Sequence, residues 1–383
     1  MLLGGLVAGC ATVRVAPTPE PEAPAETSQR AAHWRFDAGM RPPAERDGYR
    51  PPVKLAVLLP LTGSLATAAQ PVRDGLLAGY YGEQRRRPEL VFYDTGSTAA
   101  GAGAAYARAV GEGADQVVGP LGRDEIDAVY RGVQVSTPVI ALNRSDTVPP
   151  PNSASFALAP EDDGIAAADF LLARGAKRVL VLIGDGDSAR RSVAAFRERL
   201  QAQGGGVAQA LPVHNDTEID LTPQLRAAAQ AEGGIDAVLL ALRGPEARVM
   251  APQLSAAGLA SKPRVATAQL TLGTGKPEED RVLDGIAYPT DVWGVSGARG
   301  LPPASSASAT LPTARGAGAR LFAFGYDAWQ LTAYLERLAL DADARIDGAT
   351  GTLRIDSGGN VVRTPAWSTF SNGIAVPLAG AGG

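Results

Sequence analysis

The chain has 383 residues and a mass of 39.3 kDa. Because a single hydrophobic core stops growing at roughly 250–300 residues, two lobes are expected. With 36 basic and 40 acidic side chains and a pI near 5.4, the protein has no bulk positive field to attract nucleic acid. One cysteine and two histidines argue against disulfide frameworks and thiolate or histidine-rich metal sites, so no metal or cofactor is predicted.

The amino terminus carries the only cysteine. Residues 1–9 are apolar or glycine and fall far short of the roughly 20 residues that span a bilayer. They end at Cys10, and the run Leu6-Val-Ala-Gly-Cys10 resembles the lipobox of bacterial lipoproteins, in which the cysteine is acylated. Residues 1–9 are therefore predicted to be a signal peptide. Since no basic residue precedes them, translation is expected to begin upstream, or the chain to be trimmed. Ala11, which is not the aspartate that retains lipoproteins at the inner membrane, favours the outer membrane.

Residues 10–52 are rich in Pro, Ala and Glu and lack apolar periodicity. This composition predicts a flexible, lipid-anchored tether. About forty residues at ~3 Å each would reach on the order of 100 Å from a membrane surface.

From Val53 the pattern alternates between buried strands and amphipathic helices. The apolar run 54–59 predicts a strand buried on both faces, and the spacing of Val72, Leu76 and Tyr80 predicts a helix over 69–81. Further strands are predicted at 89–93, 115–118 and 138–142, and further helices at 99–112 and 124–133. Such alternation predicts a doubly wound parallel sheet with its ligand-facing loops at the carboxyl ends of the strands.

A second set of such units follows residue 158. Strands are predicted at 178–183, 207–213, 236–242 and 264–268, and helices at 160–174, 189–203, 221–232 and 245–257. The sequence therefore predicts an α/β fold of two doubly wound parallel-sheet lobes joined by three crossovers, near Phe156, Gly285 and Gly348. The predicted lobes comprise residues 53–156 plus 290–347 and residues 157–289 plus 348–375.

The last hundred residues are less regular. The stretch 297–320, rich in Pro, Ser, Ala and Gly, predicts a loop excursion outside the core, mobile at its tip. A helix is predicted over 325–340. Residues 351–370 predict a β-hairpin with a Gly-Gly turn, followed by a final strand.

Two lobes of this kind are similar to the type I periplasmic-binding-protein fold. Within that superfamily, phrases between Val53 and Gly373 look, in their order, like the penicillin-binding-protein activator lipoproteins, the LppC/LpoA family. Among them are Leu58-Leu-Pro-Leu-Thr-Gly63, Val118-Gly-Pro-Leu121, Gly325-Tyr-Asp-Ala328 and Gly348-Ala-Thr-Gly-Thr-Leu353.

The resemblance implies a function and a location. It implies a non-catalytic outer-membrane lipoprotein, facing the periplasm, that activates a bifunctional class A penicillin-binding protein and thereby regulates peptidoglycan synthesis. Family members of the best-known type carry a large helical repeat domain before this one, where this chain has only the predicted tether.

The candidate sites lie in the cleft between the predicted lobes, and none is catalytic. His214 is the only histidine within the predicted lobes and is interpreted as an exposed loop residue. In this fold a ligand lies between the lobes at the strand ends. The candidate ligand-binding residues there are Thr62, Ser64, Thr95, Gly119, Gly122, Arg123, Asn143, Arg144, Asp185, Arg243 and Gln269.

The loop after the strand predicted at 115–118, which we call the third cleft loop, does not identify the ligand. Amino-acid receptors of this fold use hydroxyl and backbone N–H groups there to hold an α-carboxylate, whereas this chain has Gly119-Pro-Leu-Gly-Arg123, in which Pro120 lacks an N–H. Arg123 or Arg144 could pair with a carboxylate instead, and an empty or partly closed cleft is the other possibility. The alternative function is therefore a lipid-anchored periplasmic solute receptor for an amino-acid or muropeptide ligand.

Overall fold

The computed structural model describes residues 25–36, 41–132, 137–214 and 220–378. The helices are α1 Ala25–His33, α2 Ala66–Gly82, α3 Ala99–Gly111, α4 Arg123–Gly132, α5 Pro160–Leu172, α6 Asp187–Ala202, α7 Thr222–Gln230, α8 Gly244–Ala256, α9 Pro277–Asp280, α10 Val292–Ser296, α11 Ala304–Thr310 and α12 Ala317–Leu340. The strands are β1 Lys54–Leu59, β2 Glu89–Asp94, β3 Gln116–Val118, β4 Val139–Ala141, β5 Ser153–Ser155, β6 Arg178–Gly184, β7 Gly206–Val213, β8 Ala237–Ala241, β9 Arg264–Ala266, β10 Ala287–Thr290, β11 Ile346–Asp347, β12 Thr352–Ile355, β13 Val361–Thr364, β14 Ala366–Ser371 and β15 Ile374–Pro377.

Each lobe is built on a parallel sheet with the same winding. The first sheet has the order β2-β1-β3-β4-β5. The second has β7-β6-β8-β9-β10, extended by the antiparallel strands β14 and β15. In both sheets the first strand lies next to one edge and the second strand forms that edge. The later strands are then added one after another on the other side of the first strand, which is the doubly wound topology. The predicted fold class of two doubly wound α/β lobes is confirmed.

Helices cover both faces of each sheet, as the uninterrupted apolar strands require. In β1, the side chains of Leu55, Val57 and Leu59 pack toward α2 and α12. The alternate residues Ala56 and Leu58 pack toward α3 and α4. In the second lobe, α5 and α6 cover one face and α7 and α8 cover the other.

The third crossover lies later in the chain than predicted. A small antiparallel sheet of β11, β12 and β13 packs on the first lobe, where Leu353, Ile355 and Val361 join the core beneath α12. The chain enters the second lobe only between Thr364 and Ala366. The predicted boundary at residue 348 is therefore wrong. Alternating apolar residues predict a hairpin with one buried face, but they do not say which lobe that face covers.

The predicted tether is also wrong where the structure describes it, at residues 25–36 and 41–52. Trp34 and Tyr49 are buried. Arg30 Nη1 donates to the Leu338 and Ala339 carbonyls at 3.1 and 3.0 Å. Because the last carbonyls of a helix have no partner within it, the end of α12 offers acceptors that hold this segment. The predicted signal peptide, Cys10 and the rest of the tether lie outside the described residues.

The stretch 297–320 is more ordered than a loop excursion. It contains α11 and a 3₁₀ turn, and α12 begins at Ala317 rather than at residue 325. Just before it, the Trp293 ring stacks on Phe322 with ring centres 5.1 Å apart. Ala307 and Ala314 are 2% exposed. Small residues pack closely without producing an apolar pattern in the sequence, which is why this contribution to the core was not predicted.

Asp327, in the middle of α12, holds the chain just before β12. It is fully buried, and its carboxylate accepts hydrogen bonds from the Ala349 and Thr350 backbone N–H groups and from the Thr350 hydroxyl. Burial raises the pKa of Asp327 to about 7, although the three donors favour the charged form.

This raised pKa predicts a pH dependence of stability. The ordinary pKa of the carboxyl group is 3.8, so between roughly pH 4 and 7 the folded protein binds more protons at Asp327 than the unfolded chain does. The free energy of unfolding should therefore fall as the pH rises through this range. We expect Asp327→Asn to flatten that fall, measured by urea denaturation at pH 4.5 and 7.5. If the free energy of unfolding falls by the same amount between these two pH values in both proteins, the raised pKa of Asp327 is contradicted.

Candidate functional site

The predicted cleft residues lie where parallel strands end, the edge at which open α/β sheets bind ligands. Thr62, Ser64, Thr95, Gly119, Gly122, Arg123, Asn143 and Arg144 follow strands of the first lobe, and Asp185, Arg243 and Gln269 follow strands of the second lobe. Their hydrogen bonds show which of these groups are already engaged within the protein.

The loops after β1 and β2 are fastened by Asp94. Its carboxylate accepts from the Thr62 hydroxyl at 2.7 Å and from the backbone N–H groups of Leu61, Thr62 and Gly96. Desolvation acts to raise the pKa of Asp94, but these donors outweigh it and hold the pKa below its usual value. The Thr62 hydroxyl thus already donates its hydrogen bond within its own lobe.

A buried carboxylate that was not predicted lies under the third cleft loop. Glu125 is 2% exposed, and its two oxygens accept from the Thr95 hydroxyl and from the Gly122 N–H at 2.7 Å. These are donors of the kind that would hold a ligand's α-carboxylate, and Glu125 uses them internally. The signal was present in the sequence, because a glutamate three residues after the N-cap position can accept from the N-cap N–H, which is one half of a capping box.

The remaining candidates of the first lobe are either packed within it or exposed to solvent. A Cβ atom on Gly119 would come within 1.9 Å of a β1 carbonyl oxygen, so only glycine fits there. Asn143 Nδ2 donates to the Leu121 carbonyl at 3.2 Å. Ser64 and Arg123 are exposed to solvent.

In the second lobe, the Asp185 carboxylate lies 3.0 Å from His214 Nδ1, and both side chains are largely exposed. His214 is thus an exposed loop residue, as the sequence indicated. The Arg243 N–H donates to Glu246, which caps the start of α8. Gln269 is half-buried in a 3₁₀ turn after β9.

Arg144 is engaged at the junction between the lobes. Its Nη1 lies 2.8 Å from an oxygen of Asp162, at the start of α5, and its Nη2 donates to the Val361 carbonyl at 3.2 Å. Burial raises the pKa of Asp162, while Arg144 acts to lower it. Arg144 therefore joins the first crossover to the third.

A second group of charges lies beside it. Asp163 is 3.5 Å from Arg363 and 3.7 Å from Arg320, and Arg320 is 3.8 Å from Asp291. Burial raises the pKa of Asp291, against the effect of Arg320. Burial acts to lower the pKa of Arg320, but the two carboxylates outweigh it and raise the pKa.

These ion pairs connect all three crossovers. Asp162 and Asp163 follow the first crossover, Asp291 lies in the second, and Arg363 precedes the third. Charges removed from water need partners, so any change in the angle between the lobes must keep or replace these contacts. The arrangement is suited to holding the lobes in one orientation.

Within the described ranges, no group of three or more His, Cys, Asp or Glu side chains is placed to hold a metal ion. None of the described helices combines the length and the apolar character needed to cross a membrane.

Proteins called penicillin-binding protein activator LpoA are similar to this chain. The protein of Dickeya chrysanthemi is 28% identical over 310 residues, which cover 71% of this chain and 45% of that protein. The protein of Vibrio vulnificus is 27% identical over 347 residues, which cover 82% and 57%. The chain thus spans about half the length of the curated relatives it matches.

Solved structures show the same fold. The LpoA C-domain from Haemophilus influenzae, described as a regulator of PBP1A, has a TM-score of 0.73 at 22% identity over 85% of this chain and 100% of that domain. Full-length LpoA from the same organism matches with a TM-score of 0.72 at 22% identity, over 85% of this chain and 59% of that one. A "putative branched-chain amino acid ABC transporter" from Chromobacterium violaceum has a TM-score of 0.66 at 27% identity, over 83% and 100%.

One family model spans both lobes. It is described as "LppC putative lipoprotein" and matches residues 49–373, from just before β1 to the turn between β14 and β15. Since this match covers most of the chain, the protein belongs to the LppC lipoprotein family.

Proposed function

We propose that this protein is a non-catalytic activator of a bifunctional class A penicillin-binding protein, and that it regulates peptidoglycan synthesis in this way. The observation that carries the proposal is the family match across both lobes, together with relatives that bear the name of penicillin-binding protein activators.

The chemistry at the strand ends supports a binding role rather than a catalytic one. The Thr62 and Thr95 hydroxyls donate to Asp94 and Glu125, and both carboxylates also accept backbone N–H groups, so these hydrogen bonds fasten the loops of the first lobe. His33 Nε2 donates to the Ser153 carbonyl at 2.8 Å, so this nitrogen is already hydrogen-bonded to the main chain.

The location is part of the same proposal. Membership of a lipoprotein family and the lipobox-like run before Cys10 support acylation of that cysteine. Ala11 in the next position supports attachment to the outer membrane, with the two lobes facing the periplasm.

The test is a crosslinking assay with purified components. A soluble form with Cys10→Ala is added to a class A penicillin-binding protein and its lipid-linked substrate, and crosslinked muropeptides are quantified by chromatography. We expect a several-fold increase in crosslinking, whereas a solute-binding protein of the same fold should give none. The proposal fails if the protein neither binds the synthase nor changes its crosslinking rate.

A solute receptor is the second candidate. The likeness to the Chromobacterium protein over 83% of this chain favours it, while the donors occupied by Glu125 oppose it. A receptor should be stabilised by its ligand, so saturating amino acid or muropeptide should raise the melting temperature by several degrees. We expect no such rise with amino acids.

A further inference from the structure

A groove of about 930 Å³ lies on the first lobe, away from the cleft loops. Two of its walls are the last turn of α2 with the residues after it, from Gly79 to Arg85, and the middle of α12. Because Thr62 and Ser64 precede α2, the part of this helix from Ala66 to Gly79 separates the groove from the cleft by about 20 Å. Asp47 and Tyr49 of the amino-terminal segment form another wall, so the groove depends on the part of the chain that was predicted to be a tether.

The charges that line the groove are not balanced. Arg85 lies 2.8 Å from Glu83, 3.0 Å from Asp47 and 3.4 Å from Glu45, so its charge is more than compensated. Three further arginines line the groove: Arg299, Arg337 and Arg345. Among the described residues none of these three lies within 4.0 Å of a carboxylate, and Asp347 is the remaining acid of the lining. The lining thus has four arginines and three acids, and the three arginines without a carboxylate neighbour favour an anionic ligand.

Two of the three arginines have guanidinium groups held by main-chain hydrogen bonds, while Arg299 is held through its backbone carbonyl. Arg337 Nη1 donates to the Asp47 carbonyl at 2.7 Å, and Arg345 Nη1 donates to the Ala342 and Ala344 carbonyls at 2.9 Å. The Arg299 carbonyl accepts from the Tyr326 hydroxyl. A guanidinium has five N–H donors, so each keeps donors for a ligand. Anchoring of this kind lowers the entropy lost on binding, and the free donors match a carboxylate.

Aromatic rings supply the apolar part of the lining: Tyr49, Tyr326, Trp329 and Tyr334. Trp329 is fixed by an edge-on contact with Tyr80, whose ring centre lies 5.4 Å away. Apolar and aromatic walls with a few placed polar groups are typical of small-molecule sites, whose volumes run from about 300 to 1,000 Å³. We propose that this groove binds a small carboxylate-bearing ligand with an apolar or sugar ring.

This proposal does not depend on the activator function, and calorimetric titration of the full chain carrying Cys10→Ala tests it. Two carboxylate probes distinguish the possible sources of the ligand: N-acetylmuramyl dipeptide for a sugar peptide and N-acetyltryptophan for an amino-acid derivative. Neutral N,N′-diacetylchitobiose is the uncharged comparison. We expect at least one carboxylate probe to bind, with the neutral sugar at least tenfold weaker.

Two substitutions locate the binding. Arg299 and Arg345 are exposed, so Arg299→Ala and Arg345→Ala should leave the fold intact. Each should weaken binding of the carboxylate probe about tenfold, the effect of losing a charge-assisted hydrogen bond. Arg197→Ala, on the exposed side of α6 in the other lobe, is the matched control and should bind normally. The proposal is overturned if no carboxylate probe binds at millimolar concentration, if the neutral sugar binds equally well, or if both groove variants bind like the control.

Discussion

Replacing Gly325 by alanine should lower the free energy of unfolding by about 3 kcal/mol, because the substitution overpacks a closely fitted core. A Cβ atom at this position in α12 would come within 1.9 Å of the Val72 carbonyl oxygen in α2. A Cβ atom on Gly75 of α2 would likewise come within 1.8 Å of the Phe322 carbonyl oxygen in α12. The two backbones therefore touch through reciprocal glycines, and neither helix can give way without disturbing the sheet beneath them.

A second glycine in the same lobe provides the control. Gly103 lies within α3, and a Cβ atom there would meet nothing within 4 Å. Since alanine is favoured over glycine in a helix by roughly 1 kcal/mol, Gly103→Ala should leave stability unchanged or raise it slightly. Urea denaturation followed by circular dichroism compares the two variants with the native protein. If Gly325→Ala and Gly103→Ala unfold at the same urea concentration, the close packing of α2 on α12 is not a determinant of stability.

The strands of both sheets could be predicted because each is indicated by a run of apolar residues that are neighbours in the sequence. An unbroken apolar strand such as residues 54–59 must be covered on both faces, and strands that alternate with helices pair in parallel. The strands and helices predicted between residues 54 and 268 are all present in the predicted order, whereas β5 and β10 were not predicted. Even the carboxylate under the third cleft loop could have been found, since Gly122 and Glu125 have the spacing of a capping box.

The long-range contacts could not be predicted, because no local pattern encodes them. The segment around Arg30 lies between two proline-rich stretches of the sequence, yet it packs on carbonyls more than 300 residues away. The hairpin of β12 and β13 has an ordinary alternating pattern, and its assignment to the first lobe depends on the apolar surface that α12 offers. The charges of the junction lie on five separate segments of the chain, and only the fold brings them together.

The second large prediction concerns the junction between the lobes, where the buried Arg363 has Asp163 as its ion-pair partner. The side chain of Arg363 is 1% exposed, and Asp163, itself 6% exposed, is its ion-pair partner at 3.5 Å. Arg363 also donates to the Thr350 carbonyl, and Asp163 accepts from the Ala268 N–H. Asp163→Ala would take away the nearest counter-charge of this buried guanidinium and one of the two carboxylates beside Arg320. Breaking a buried pair in this way costs about 3–5 kcal/mol, so we expect a loss of stability of that size.

The same helix offers a matched control. Asp169 of α5 lies 2.6 Å from Arg199, but the two side chains are 47% and 42% exposed. Because water screens such a pair, Asp169→Ala should cost less than about 1 kcal/mol. Thermal and urea unfolding measure the difference in stability between the Asp163→Ala and Asp169→Ala variants. The loss of a carboxylate from α5 would not by itself produce such a difference, because both variants lose one.

A double substitution separates the two possible causes of the loss. If the unpaired charge of Arg363 is responsible, adding Arg363→Met to Asp163→Ala should restore much of the stability, since an apolar side chain has no desolvation penalty. If the loss came only from the space that Asp163 leaves, the double variant would be at least as unstable as the single one. Restored stability combined with a changed interlobe angle in small-angle scattering would show that these charges fix the orientation of the lobes more than they stabilise the fold.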